Sequence, residues 1–140
     1  MLNASNRTAS VSGYLLDGIM AVCAAFASVA LFTWVLSELA VARFWEPWVT
    51  RFGVLGSGIP FAFVALISGF VVGAAVGLVF GHRALRVAAL AGVFAALAWL
   101  IGTATYPDGG SLLRSSVIAA ATLAIGLVMG SICTRRIRHA

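Results

Sequence analysis

Four runs of apolar residues, near positions 14–37, 54–80, 87–106 and 115–133, divide the chain. Each is close to the ~20 residues that a helix needs to cross a bilayer. The separators are short and hold nearly all of the charge. Hydrocarbon offers no partner to a backbone amide, so each run is expected to be helical, including the valine-rich parts that would pass for strands in water. The expected architecture is an all-α membrane protein, a single domain over residues 1–140. It is a four-helix transmembrane bundle with a short interfacial amphipathic helix, near residues 40–52, between helices one and two.

Composition points the same way. Of the 140 residues 62% are hydrophobic and 9% are charged, and the mean hydropathy is +1.08; soluble domains carry about a quarter charged residues. A water-soluble chain of this length would lack the polar side chains to cover its own core. All basic residues are arginine, and alanine and glycine are abundant, which suits a GC-rich bacterial source.

The net charge of +5 would interest a nucleic acid only if it formed a patch on a water-facing domain, and no segment is long enough to make one. Topology accounts for it better. With four spans, Arg7, Arg83, Arg86, Arg135, Arg136 and Arg138 fall on one side, and Arg43, Arg51 and Arg114 on the other. The positive-inside rule then puts both termini in the cytoplasm, with a bacterial inner membrane as the expected location. The acids complete the asymmetry, since Asp17 lies on the inner side while Glu38, Glu46 and Asp108 lie outside. The first run is longer than a signal-peptide core and only Arg7 precedes it, so it is expected to stay as an anchor. Asn3-Ala4-Ser5 and Asn6-Arg7-Thr8 match the glycosylation acceptor pattern, which a cytoplasmic N-terminus makes a chance match.

In the outer loop Val41, Phe44, Trp45, Trp48 and Phe52 recur at spacings of three and four, one face of a helix. The expectation is a segment lying flat in the interface, with Phe44, Trp45, Trp48 and Phe52 as anchors and Pro47 breaking or restarting it. Gly81-His82-Arg83 should join helices two and three as an antiparallel hairpin. The turn from Tyr106 to Ser111 should end with Ser111 capping helix four.

The sharpest pattern lies in helix two, where Ala65, Gly69, Gly73, Gly77 and Gly81 repeat every four residues as one stripe without side chains. Small residues let helices approach by van der Waals contact where lipid supplies no hydrophobic drive. Helix three offers Ala84, Ala88, Gly92 and Ala96, and helix four offers Thr122, Gly126 and Gly130. Packing within one chain is expected; the alternatives are an interface with further copies or a partner, and the lining of a pore. Ser68, Thr103, Thr105 and Thr122 are expected to bond to neighbouring helices, and Cys23 and Cys133 to pack as small apolar residues.

Asp17 is the only ionisable side chain inside an apolar run. Intramembrane carboxylates are costly, and the level of Asp17 in helix one suggests an ion pair with Arg83 and Arg86, or an acid snorkelling to the interface, rather than a proton or cation site. His82 and His139 sit at membrane edges among arginines. The cluster of Arg135, Arg136 and Arg138 reads first as a topology anchor and second as a site for anionic lipid headgroups.

No nucleophile with its base, no paired carboxylates, no metal-ligand set and no phosphate-binding loop can be assembled. The expected function is therefore non-catalytic, with no cofactor and no metal: a small polytopic protein acting by helix contact, as an accessory subunit of a membrane complex or an immunity-type protein. Its partners would be the lipid bilayer and a membrane protein or further copies of itself. The alternative is a small homo-oligomeric channel or transporter.

Overall fold

The apolar runs mix alanine and glycine with valine, isoleucine and leucine, and a helix closes the backbone hydrogen bonds of such a run four residues apart without any outside partner. The computed structural model describes residues 3–44, 46–53, 58–105 and 109–137, and all of these outside short turns are helical. The helices are α1 (Asn3–Val41), α2 (Glu46–Phe52), α3 (Gly58–Phe80), α4 (Ala84–Ala104) and α5 (Gly109–Ile137), with a 3-10 turn at Gly81–Arg83. Three stretches are long and apolar enough to cross a membrane: Val11–Ala40, Gly58–Ala104 and Ser116–Ile137. The second contains both α3 and α4.

The chain reverses between α3 and α4. Near one end of α1, Asp17 meets Arg83 and Arg86; near the other end, Phe32 packs edge-on against Phe61 of α3 and Trp99 of α4, with centroids 6.5 and 4.8 Å apart. Residue numbers therefore rise along α4 and fall along α3 as one follows α1, and the two form a hairpin. Gly81, at φ +53, lets the chain leave α3 in a left-handed conformation that other residues rarely adopt.

Helices α3 and α5 run parallel and make the most extensive contact in the molecule. Helix α4 lies antiparallel to α5 and parallel to α1. The core between them consists mostly of alanine, with Ala21, Ala65, Ala84, Ala88, Ala91 and Ala95 wholly buried and Phe32, Leu123 and Leu127 the largest enclosed side chains. Alanine keeps the helix axes close and costs no side-chain entropy on burial. Large apolar residues face outward instead: Phe26 is 74% and Val79 71% exposed.

Several expectations need correction. Helix α1 starts at Asn3 and ends at Val41, beyond 14–37 at both ends, because the polar residues before Tyr14 and the stretch from Glu38 to Val41 continue a helix that hydropathy alone would end. The segment 41–52 is not one helical face. Val41 closes α1, a turn follows with Arg43 at φ 53, and α2 begins at Glu46 with Pro47 in its first turn, where a missing amide proton costs nothing. Helix α5 starts at Gly109, so Ser111 lies within its first turn and does not cap it. Thr103, Thr105 and Thr122 donate to carbonyls three or four residues back in their own helices, and do not bridge to neighbours. Cys23 and Cys133 are exposed on the outer surface of the bundle, not packed inside it. Trp45, residues 106–108, Arg138 and His139 lie outside the described residues, as do the side chains of Arg7, Val41, Ser111 and Arg114.

Candidate functional site

Three places bring chemistry-bearing or unusual residues together: the seam between α3 and α5, the ion-pair cluster at the Gly81–Arg83 end, and an apolar groove at the opposite end.

In the seam, Gly69, Gly73 and Gly77 on α3 face Gly126 and Gly130 on α5. A methyl group on Gly69 would meet the carbonyl oxygen of Leu123, and one on Gly73 would lie 2.8 Å from the α-carbon of Leu127. From the other side, a methyl on Gly126 would come within 2.9 Å of the Phe70 nitrogen, and one on Gly130 within 2.7 Å of the Ala74 nitrogen. Real carbon contacts do not reach these distances, so the two backbones touch through both sets of glycines. Gly77 differs slightly: its neighbour is the Thr134 side chain, whose hydroxyl donates to Gly130 O at 3.0 Å. Ala65 extends the buried line of α3. Gly92 of α4 meets Ala124 of α5, 3.2 Å from a methyl built on the glycine. All of these contacts lie within one chain.

The cluster at the other end rests on Asp17, whose side chain is 5% exposed. Its Oδ1 lies 3.9 Å from Arg83 Nη1 and its Oδ2 3.8 Å from Arg86 Nη1. These separations suit charge pairing but exceed hydrogen-bond length. The 3-10 turn presents Arg83 and the first turn of α4 presents Arg86, so one arginine faces each carboxylate oxygen. Tyr14, one turn before Asp17, lies under the Arg86 guanidinium with the ring centroid 5.1 Å from Cζ, a cation–π contact. Arg83 also passes Gly13, where a methyl would lie 3.9 Å from its Nη1, an ordinary contact. His82 is exposed beside this cluster.

The groove opens between the second half of α1 and the first half of α3. It measures about 710 Å³ and is walled by Leu31, Val35 and Leu39 on one side and Phe63, Val64 and Ile67 on the other. Phe44 and Trp48 line the same groove, which places aromatic side chains from the turn and from α2 at its end. Trp48 also stacks on Phe52, with centroids 6.1 Å apart and planes at 29°, and Arg51 sits 5.8 Å over the Phe52 ring. Arg43 pairs with Glu46 at 3.6 Å in solvent, a contact of little energetic weight. Hydropathy reasoning found the aromatics but not the groove, because a gap between helices depends on how far they diverge. Beside Phe32, the indole N–H of Trp99 is buried with no acceptor among the described residues.

No group of three or more histidine, cysteine, aspartate or glutamate side chains gathers at metal-binding range among the described residues. No protein-family model matches the chain, and neither a curated protein nor a solved structure matches it.

Proposed function

We propose that this chain is a polytopic membrane protein in which α1, α3, α4 and α5 each cross the bilayer, and that it works by contact with another membrane protein and not by chemistry of its own. It is an accessory subunit of a membrane complex or an immunity-type protein that occupies a partner inside the bilayer. Its location is the bacterial inner membrane, with the N-terminus, the Gly81–Arg83 turn and the C-terminus on the cytoplasmic side.

Length and charge support four spans. The 23 residues of α3 and the 21 of α4 extend about 34 and 31 Å, each enough for a hydrocarbon core of about 30 Å. At the end where Asp17 meets the hairpin turn, Arg83, Arg86, Arg135 and Arg136 stand against that single acid, whereas Arg43 and Arg51 at the other end are balanced by Glu38 and Glu46. An excess of arginine marks the cytoplasmic side. Trp48 and Phe52, on a short helix without buried residues, fit an anchor in the outer interface.

The groove between α1 and α3 carries the contact reading. A gap of about 710 Å³ walled almost wholly by apolar side chains is the shape that a partner's helix ridge or bulky side chain would fill. The channel alternative has less to stand on, since its assembly surface would be the glycine stripe, and Gly69 and Gly73 already face α5.

The test is affinity purification from the native membrane into lipid discs, with the native mass of the particle and identification of what accompanies it. A stoichiometric foreign membrane protein that is lost on Ile67→Trp, a change that blocks the groove from its exposed wall, supports the reading. A homo-oligomer without a foreign partner, indifferent to Ile67→Trp, overturns it and makes ion flux the next assay.

A further inference from the structure

A second, smaller pocket lies at the opposite end of the molecule, about 350 Å³ in volume, between the start of α4 and the end of α5. Its lining is divided by chemistry. Arg135 and Arg136 contribute two cationic side chains, and Leu85 and Ile132 contribute apolar ones that are 42% and 40% exposed. Ser131 is buried at its floor and already donates its hydroxyl to Val128 O at 2.8 Å. The neighbouring arginines are committed, Arg83 and Arg86 being held by Asp17. Arg135 and Arg136 have no ion-pair partner among the described residues.

We infer that this pocket binds the phosphate of an anionic phospholipid from the cytoplasmic leaflet. The inference rests on the membrane reading above and adds a ligand to it. Guanidinium groups match phosphate oxygens with paired hydrogen bonds. An anion alone would satisfy Arg135 and Arg136 but would have no use for Leu85 and Ile132. A phospholipid satisfies both at once, its phosphate against the arginines and the upper part of its acyl chains along the leucine and isoleucine. The local excess of arginine over acid adds a field that favours anionic over zwitterionic lipid.

The test uses the full chain in an uncharged detergent, with lipid binding followed by native mass spectrometry and by the shift in Tm. Phosphatidylglycerol is expected to bind and to raise the Tm, while phosphatidylcholine and inorganic phosphate at the same concentration do neither. Arg135→Gln combined with Arg136→Gln should weaken phosphatidylglycerol binding on the order of tenfold or more, and Arg51→Gln, at the other end, should leave it unchanged. Should the double variant fail to fold, Arg136→Gln alone carries the comparison. Equal binding of the two lipids, an equal response to inorganic phosphate, full binding by the arginine variant, or an equal loss with Arg51→Gln would each overturn the inference. Alkaline carbonate extraction separates the two readings. A protein that stays in the membrane pellet yet shows no lipid preference refutes the site alone, and one that is released refutes the membrane reading and the site with it.

Discussion

Gly130 of α5 lies directly on Gly73 of α3, so that a methyl group on Gly130 would come within 3.0 Å of the Gly73 carbonyl carbon. Neither residue can carry a side chain without parting the helices.

The substitution Gly73→Leu is therefore expected to destabilise the fold by about 3 kcal/mol or more, the upper range for overpacking a tight core. Gly102→Ala should do the opposite, raising stability by about 0.5–1 kcal/mol, because nothing lies within 4 Å of a methyl at that position. Unfolding in mixed micelles reads both. Equal tolerance of the two variants would mean that α3 and α5 do not touch as described.

Removing one of the two arginines around Asp17 leaves the other in place, so Arg83→Gln and Arg86→Gln should each cost only about 1 kcal/mol. Together they strand a carboxylate whose side chain is 5% exposed, and the combined loss should exceed the sum, near 3 kcal/mol. Adding Asp17→Asn to the double variant should restore much of it. Strict additivity of the two single changes would show that they do not share a partner.

Phe32 is 1% exposed and holds Phe61 and Trp99 together, so Phe32→Ala is expected to cost about 3–5 kcal/mol. Trp99→Phe should stay within about 1 kcal/mol of the parent, since the volume lost is offset by removal of a buried N–H without an acceptor. Thermal unfolding of the two variants checks the contrast.

Reporter fusions placed after Arg51 and after His139 should report opposite sides of the membrane, with the arginine-rich end cytoplasmic. The same side for both would remove one span from the count.

Much of the helical order was legible in the chain, because apolar runs separated by charged turns leave the backbone little choice. The stripe of Gly69, Gly73 and Gly77 was legible too, but not the helix it faces. Sequence neighbours suggest that α3 should pack best on α4, whereas its glycines are filled by α5, and only the three-dimensional arrangement decides that. The line of Val41, Phe44, Trp48 and Phe52 misled because helical spacing persists on paper across a turn at Arg43 that breaks it in space. Cys23 and Cys133 were misplaced for a related reason: where large apolar residues face outward, apolar character does not separate inside from outside. The groove had no sequence signal, since it is a space bounded by residues far apart in the chain; Arg135 and Arg136 did stand out as a site for anionic headgroups, but the apolar wall that Leu85 brings to them from α4 did not.

The parallel pairing of α3 with α5 also sets a timetable. When Phe80 leaves the ribosome, Leu123 and Leu127, the residues that close over Gly69 and Gly73, have not yet been made. At about 5–20 residues per second, the glycine face of α3 waits for several seconds before the backbone that fills it has been made, and a stop codon before Leu123 would leave that face without its partner for good.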